Sequence, residues 1–564
     1  MKFHEYPYQR PDYEAIKAQM EGLLGQLSAS ANTEEFMKVF GEINKVRSHY
    51  NTMSTLSNIR HTINTKDPFY DKENDYWNEY SPLYQNIESK LYKAVLNCPF
   101  LEGLRPMLPE TFIKTAEYAE KSFREDIIPD LQEENKLESA YEKLLASAEI
   151  EFEGKTYNLS QLKALTESKD RDLRHRAYDA RIGFFVQHEK EIDDIYDKMV
   201  HLRDSIAKKL GFKNFIELGY IRMSRFDYNE QDVANYRKQV IEHVVPMANK
   251  LYKEQQQRLG VDRLRYFDEK IEFLTGNPTP KGTPEEMVAA AQSMYHEMSP
   301  ETGEFIDVMV EGELMDLVSK PGKAGGGYCT SLPDYKVPFI FSNFNGTSGD
   351  ADVLTHEAGH AFQVYQSKDI SVPECVWPTL ESCEIFSMSM EFFAWPWSKN
   401  FFKEDTDKYH YLHLGSTAKI IPYGVLVDHF QHEVYANPDM TPDQRKAAWR
   451  SLEKQYLPHK DYEGCDILEK GCWWFQQGHI FGSPFYYIDY TLAQVCALEF
   501  WKRSQEKDPT AWSDYLAMCK CGGTLPFRKL MQVGNLRGPF TPGCLEDIMS
   551  AMDKYLSGVD ANAM

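Results

Sequence analysis

DVLTHEAGHAFQVY, residues 352–365, is the most informative stretch of this chain. It places His356 and His360 four residues apart, and on a helix that spacing puts both imidazoles on one face. From one face both rings can reach a single Zn²⁺ at about 2.0–2.1 Å. Apolar residues such as Leu354 and Phe362 supply a buried flank. We therefore predict a helix over about 351–366 that carries two metal ligands.

Glu357 follows the first of these histidines directly. From there it can face a water molecule beside the ion without binding the ion itself. In this chemistry zinc lowers the pKa of that water to about 7, and the glutamate removes a proton as the water attacks a carbonyl. The pattern therefore predicts hydrolysis, with Glu357 as the general base.

A catalytic zinc needs a third protein ligand and an open fourth position. The stretch TLESCEIFSMSMEFFAW, residues 379–395, offers Glu381, Glu384 and Glu391 near one face of a second predicted helix. Charges on so apolar a helix need a partner, so one carboxylate can bind the metal while another orients a histidine. We prefer Glu384 as the ligand, although spacing alone does not separate it from Glu381.

The segment GHIFGSPFYYIDY, residues 478–490, combines His479 with three tyrosines. On a helix Tyr490 would share a face with Tyr486, four residues before it, or with Tyr487, three residues before it. Two phenols aimed the same way can donate to an oxyanion in a water-poor site. The alternative is that these rings are ordinary aromatic core.

The remaining pattern predicts a mainly α protein with more than one lobe. At 564 residues the chain exceeds the size of one compact core, and apolar residues recur at helical spacing along most of it. EIEFEGKTYNLS, from residue 149, predicts a small hairpin turning at Gly154. We place a lobe boundary there, which gives an N-terminal helical lobe at 1–150 and a catalytic region at 151–564. The sheet is predicted at about 308–344.

Net charge and cysteine content indicate which partners and which cellular location to expect. The 86 acidic and 63 basic residues give a net charge of -23, which disfavours nucleic acid and anionic membrane surfaces. The N-terminal sequence has no apolar segment typical of a secretory signal. Ten cysteines in so long a chain are expected to remain thiols. We expect a cytoplasmic protein; its oligomeric state stays open.

These motifs resemble the metallopeptidase family of thimet oligopeptidase and oligoendopeptidase F, with the oligoendopeptidase F branch the closer fit. The resemblance rests on HEAGHAF, on a glutamate 28 residues after the first histidine, and on the GHIFGSPFYYIDY segment. It also covers GGGYC and VPFIFSNFNGT upstream of the HEAGHAF motif and DHFQHEVY downstream. The specific motifs lie at about 356–490, and a general likeness extends from about residue 171 to the C-terminus.

The resemblance implies a mostly helical, two-lobed body with a deep channel for oligopeptides. It implies one Zn²⁺ per chain, with Glu384 as the third ligand. It also implies that His479 and Tyr490 hydrogen-bond the substrate or the tetrahedral intermediate. Tyr486 is the preferred second phenol, with Tyr487 as its alternative.

We therefore expect a zinc-dependent oligoendopeptidase that cleaves internal bonds of short peptides. A zinc carboxypeptidase or dipeptidase of similar build is the alternative within the enzyme class. A metal-free helical peptide-binding protein is the alternative from another class. The residues do not specify the preferred peptide sequence, and they favour zinc without excluding cobalt or manganese.

Overall fold

The computed structural model describes residues 1–564 except 167, 321, 325 and 345–347, and it leaves the side chains of 78, 82, 125, 160 and 164 undescribed. Gly325 of GGGYC and residues 345–347 of VPFIFSNFNGT therefore lie outside the described residues. The chain is 69% helical with small sheets, which confirms the predicted fold class. Among the described residues, none of the helices is both long and apolar enough to cross a membrane.

The α-helices of the described residues are, in chain order, α1 (Tyr13–Ser28), α2 (Thr33–Ile63), α3 (Pro68–Leu96), α4 (Leu101–Leu104), α5 (Glu110–Ser122), α6 (Ile128–Ala146), α7 (Leu159–Leu165), α8 (Arg171–Gln187), α9 (Glu189–Lys209), α10 (Phe215–Arg222), α11 (Glu230–Gln239), α12 (Val245–Arg258), α13 (Pro284–Met298), α14 (Pro300–Glu311), α15 (Ser348–Val353), α16 (His356–Ser367), α17 (Leu380–Phe393), α18 (Lys399–Phe402), α19 (Thr406–Ala436), α20 (Pro442–Tyr456), α21 (Asp466–Lys470), α22 (Gly478–Gly482), α23 (Ile488–Gln505), α24 (Ala511–Cys521), α25 (Phe527–Val533) and α26 (Cys544–Ser557).

The strands form two small sheets. In the first, β1 (Ile150–Phe152) and β2 (Lys155–Tyr157) pair antiparallel around Gly154, which confirms the predicted hairpin. Gly154 has a φ of 78°, a conformation that glycine adopts without strain. In the second, the strands β3 (Met315–Val318), β4 (Tyr328–Leu332) and β5 (Val337–Phe344) lie in the order β3–β5–β4. There β3 runs parallel to β5 and β4 runs antiparallel to it.

The chain divides into two compact units, each built from three segments. Unit 1 comprises 1–121, 278–406 and 496–536, and unit 2 comprises 122–277, 407–495 and 537–564. These units follow a different division from the predicted lobes at 1–150 and 151–564, and that lobe division stays a prediction.

The predicted sheet region, 308–344, begins too early. Val308 lies in α14, which continues to Glu311, and the first strand begins at Met315. A capping box at Ser299 and a proline at the first helical position start α14 strongly. Phe305, Ile306 and Met309 are then buried along it at helical spacing, so this apolar run belongs to a helix rather than to a strand.

The helix predicted over 351–366 is two helices in the structure. The first, α15, ends at Val353, and α16 begins at His356. Between them the hydroxyl of Thr355 donates to the Asp352 carbonyl at 3.1 Å, and the Thr355 amide donates to the same carbonyl. A threonine side chain that competes for backbone carbonyls in this way interrupts the regular helix. The ligand-bearing helix α16 therefore starts at the first histidine.

Candidate active site

Within unit 1, α16 and α17 pack unusually close to each other. A Cβ atom at Gly359 would lie 2.7 Å from both the Phe386 carbonyl oxygen and the Ser387 Cα. Real Cβ atoms essentially never approach backbone so closely, so only glycine allows this separation. The strands β4 and β5 also pack against α16, as predicted for the small sheet beside this helix. The close approach brings the carboxylates of α17 to the histidines of α16.

Three metal-ligating groups converge between these helices. His356, His360 and Glu384 each offer one ligand atom, and these atoms lie within 4.8 Å of one another. The Glu384 Oε2 atom is 3.4 Å from His356 Nε2 and 3.6 Å from His360 Nε2. Ser387 Oγ donates to the same carboxylate at 3.0 Å and holds it in place.

This donor set fits zinc. Two nitrogens and one carboxylate oxygen are the ligands of several catalytic zinc sites, which keep the fourth position for water or substrate. Tetrahedral ligands at about 2.0–2.1 Å from an ion stand roughly 3.3–3.4 Å from each other. The separations of 3.4 Å and 3.6 Å from Glu384 to the two imidazoles are close to that value.

Glu391 fixes the orientation of one of the two imidazoles. His356 Nδ1 donates to Glu391 Oε1 at 2.6 Å, which turns its Nε2 toward Glu384. Burial acts to lower the pKa of His356, but hydrogen bonds to the two glutamates raise it well above its usual value. Burial acts to raise the pKa of Glu384, and the two imidazoles hold it well below its usual value.

The other acidic candidates take different positions. Glu381, the runner-up as a ligand, is buried and accepts a hydrogen bond from Thr379 Oγ1 at 3.0 Å, and it is not part of the three-residue group. Glu357 is half-buried on α16. The pKa of Cys329, a residue of β4, is raised first by burial and then by the charge of Glu357. The Glu357 carboxylate therefore lies near β4.

In unit 2, His479 lies among the three tyrosines of its segment. Its ring centroid is 5.7 Å from that of Tyr486, 5.0 Å from that of Tyr487 and 6.1 Å from that of Tyr490. Burial raises the pKa of Tyr487 to about 12, with a further contribution from Tyr490. The centroids of Tyr486 and Tyr490 are 5.0 Å apart. The structure therefore brings the predicted donors of this segment together.

The spacing predicted that Tyr490 shares a helix with Tyr486 or Tyr487. This is wrong, because α23 begins only at Ile488, and the other two tyrosines precede it. Phe485, just before the two tyrosines, has a φ of 69°. Its amide donates to Gln431 Oε1 at 3.0 Å, and its carbonyl accepts from the Arg225 guanidinium. These buried contacts hold a non-helical backbone at the point where helical spacing was expected.

Gln477 is a residue that the sequence motif did not reveal. Its Nε2 donates to His479 Nδ1 at 2.8 Å, and its Oε1 accepts from the Tyr423 hydroxyl at 2.8 Å. Burial lowers the pKa of His479, which favours the neutral ring. Because Nδ1 accepts, the ring proton of the neutral imidazole is on Nε2, which is then a donor. The only signal in the sequence is an amide two residues before the histidine.

Comparison with family models identifies the family of this chain. The model described as peptidase family M3 matches residues 164–549, and the model of the peptidase M3 N-terminal domain matches residues 3–123. The chain belongs to peptidase family M3. This M3 peptidase is therefore a metallopeptidase, as the motifs predicted. The family is in general zinc-dependent.

Solved structures agree along the whole length of the M3 peptidase. PZ peptidase A with inhibitor 2 is 52% identical, with a TM-score of 0.92 and 100% of both chains covered. A structure described as an oligoendopeptidase F from Bacillus anthracis str. Ames is 48% identical, with a TM-score of 0.88, and the match covers 100% of this chain and 99% of that one. These likenesses confirm the oligoendopeptidase F branch. A search of curated proteins gave no match.

Proposed function

We propose that this chain is a zinc-dependent oligoendopeptidase that hydrolyses internal bonds of short peptides. The observation that carries the proposal is the convergence of His356, His360 and Glu384 on one point between α16 and α17. Membership of peptidase family M3 and the likeness to oligoendopeptidase F structures support peptides as the substrates. The proposed binding partners are oligopeptide substrates. A cytoplasmic location stays part of it as well.

His356, His360 and Glu384 would hold one Zn²⁺. When bound, the ion supplies Lewis-acid polarisation of the peptide carbonyl and a lowered pKa for water. Glu391 keeps His356 turned toward the centre through the hydrogen bond at Nδ1. The carboxylate of Glu384 is held by Ser387 in the same way. The protein thus fixes its ligands before any substrate enters.

Glu357 acts as the general base in this proposal. It accepts a proton from the attacking water and transfers it to the leaving amine. The backbone of α16 holds it one residue from the first ligand.

His479, Tyr490 and Tyr486 donate to the oxygen that gains charge when water adds to the carbonyl. The contact from Gln477 leaves the proton of neutral His479 on Nε2, so this atom donates. Phenols are good donors because each carries one O–H, and a site poor in water strengthens such hydrogen bonds. Tyr487, whose pKa burial raises to about 12, stays protonated at neutral pH and is the alternative second phenol.

The test compares wild type with Glu357→Gln on one peptide blocked at both ends. The wild type is expected to contain one equivalent of zinc and to cleave an internal bond. The variant should keep the zinc and lose about 10²–10⁴-fold in kcat. Glu34→Gln, at an exposed position in the first turn of α2, serves as the matched control and should cleave normally.

The alternatives give different results. A carboxypeptidase or dipeptidase that needs a free terminus would leave the blocked peptide intact. A metal-free peptide-binding protein would contain no zinc, and its wild type and Glu357→Gln variant would bind the peptide with equal affinity. Full turnover by Glu357→Gln would contradict the proposed role of that carboxylate.

A further inference from the structure

The helix that carries His479 is too short to fix its own position. This helix, α22, has five residues, from Gly478 to Gly482, and the side chain of Gln477 before it makes no capping hydrogen bond. A helix of so few residues is not stable by itself, because ordering its first turn costs more free energy than its hydrogen bonds return. The placement of the His479 ring therefore depends on how the rest of unit 2 holds α22.

Two carbonyls at the end of α22, those of Ile480 and Phe481, lack the donors that a longer helix would supply. Those donors would be the backbone amides of Pro484 and Phe485. Proline has no N–H, and the Phe485 amide donates to Gln431 Oε1 at 3.0 Å instead. Ile480 and Phe481 are fully buried, and buried carbonyls need a donor from elsewhere in the protein.

Arg203, on α9, supplies both missing donors. Its Nη1 donates to the Ile480 carbonyl at 3.4 Å, and its Nη2 donates to the Phe481 carbonyl. The guanidinium carries five N–H groups in a fixed planar fork, so one side chain can serve two successive carbonyls. The Arg203 side chain is itself buried, so water does not compete for these bonds.

The same guanidinium contacts two further helices. Its Nε donates to Glu134 Oε1 of α6 at 2.6 Å, and its Nη1 also donates to the Tyr435 hydroxyl of α19 at 2.8 Å. Glu134 accepts a second ion-pair contact from Arg222 at 3.0 Å, so two arginines fix this carboxylate. Arg203 therefore connects the carbonyl end of α22 to three long helices of the same unit.

Packing against α6 holds the flank of α22. A Cβ atom at Gly482 would lie 2.3 Å from Glu138 Oε1, and the ring of Phe481 stacks on that of Tyr141 with 3.7 Å between their centroids. The carbonyl end is held separately, by the guanidinium. If its donors were lost, α22 could tilt about the contact with α6 and carry the His479 ring with it.

We propose that Arg203 is a positioning residue for His479. Through the carbonyls of Ile480 and Phe481 it fixes α22, so that His479 Nε2 meets the oxygen that gains charge when water adds to the peptide carbonyl. Small displacements matter here, because a catalytic group misplaced by about 1 Å can cost on the order of 10²-fold in rate. This inference rests on the proposed function, since it assumes that His479 is an oxyanion donor.

The experiment is a double-mutant cycle of Arg203→Lys and His479→Ala, measured with zinc-loaded enzyme on the peptide blocked at both ends. Lysine keeps the positive charge near Glu134 but not the planar fork, so it serves the two carbonyls less well. Arg203→Lys alone should lower kcat about tenfold, keep KM within about twofold and keep one equivalent of zinc. In the His479→Ala background the same substitution should change kcat less than about twofold, because the group through which Arg203 acts is gone.

Arg445→Lys is the matched control. Arg445 is as deeply buried as Arg203, and its hydrogen bonds go to Asp197 of α9 at 2.7 Å and to the Pro438 carbonyl at 3.1 Å. The control should lower the urea midpoint of unfolding about as much as Arg203→Lys does. Its kcat should stay at the wild-type value, which separates a general loss of stability from a displaced α22.

Arg203→Gln is a second variant of the same position. Glutamine keeps one donor group and no charge, so its kcat should fall further than that of Arg203→Lys. Glu134 retains Arg222 as a partner in both variants, so neither substitution leaves this carboxylate unpaired. The order of kcat should therefore be arginine, then lysine, then glutamine.

The inference is overturned if both Arg203 variants keep the wild-type kcat, or if His479→Ala does. It is also overturned if Arg203→Lys costs the same factor with and without His479, or if both variants fail to fold, because Arg203 would then serve the fold alone. Cleavage of the blocked peptide by wild type, and its loss in Glu357→Gln, would uphold zinc-dependent endopeptidase activity in each of these cases. The two failures are therefore distinguishable.

Discussion

His356 Nδ1 donates to Glu391 Oε1 over 2.6 Å, and this bond joins the first histidine of α16 to the last turn of α17. It fixes the ring so that Nε2 faces the metal position. We expect Glu391→Ala to lower the affinity for zinc by about 10- to 100-fold, because an outer carboxylate sets both the orientation and the basicity of the ligand. Competition with a chromogenic chelator measures this affinity directly.

Glu381→Gln is the matched control for that experiment. Glu381 lies on the same helix but contacts Thr379 rather than the histidines. Its substitution should therefore leave the zinc affinity within about twofold of wild type. Equal zinc affinities for wild type and Glu391→Ala would show that His356 needs no such support.

A second prediction concerns Gln477, whose amide holds His479 in the tautomer that donates from Nε2. Gln477→Met removes this hydrogen bond while keeping the side-chain volume. We expect kcat to fall by about tenfold and KM to change less, since the lost interaction acts on the transition state. Gln455→Met, at an exposed glutamine of α20, is the control. A rise in KM at constant kcat would instead place Gln477 in ground-state binding.

The metal-binding pattern was largely readable from the sequence. Helical spacing alone placed His356 and His360 on one face, and the apolar surroundings of the later glutamates indicated that those carboxylates needed partners. The structure brings Glu384 to the histidines and Glu391 behind His356. The spacing could not choose Glu384 over Glu381, because that choice depends on how α17 is rotated against Gly359.

The structural features that the sequence did not predict depend on contacts that local periodicity does not encode. The helix start at Ile488 depends on Arg225 and Gln431, which hold Phe485 from distant positions in the sequence. The interruption at Thr355 depends on which carbonyl its hydroxyl selects. The compact units interleave three segments each. Local periodicity carries no information about any of these pairings.

A third prediction tests the close packing of α16 on α17. Gly359→Ala would place a methyl group 2.7 Å from the backbone of α17, so the helices must separate. We expect the free energy of unfolding to fall by about 1–3 kcal/mol and the zinc affinity to fall with it. Gly41→Ala on α2 has open space at the new Cβ and should raise stability by about 0.5–1 kcal/mol. An unchanged melting temperature for Gly359→Ala would contradict the packing argument.

A fourth prediction concerns the pH dependence of stability through Asp428 on α19. Burial acts to raise the pKa of this carboxyl, but His432 and Arg237 together lower it to about 2. Asp428 Oδ2 accepts from Arg237 at 3.0 Å. The unfolded chain has a pKa near 3.9 at this residue. The contribution to stability is therefore complete above about pH 4 and is lost as the pH falls toward 2, on the order of 2 kcal/mol.

Asp428→Asn tests this, because an amide cannot titrate. The variant should be less stable than wild type at pH 6, and the difference should shrink between pH 4 and pH 2 in urea unfolding. Asp439→Asn, at an almost fully exposed aspartate just after α19, should reproduce the wild-type pH dependence. Arg237→Met removes one partner of the buried carboxylate and leaves His432 at 3.1 Å, so it should destabilise unit 2 at neutral pH by less than the roughly 3–5 kcal/mol of a fully unpaired buried charge. A gap between wild type and Asp428→Asn that stays constant down to pH 2 would mean that the carboxyl titrates as it does in the unfolded chain.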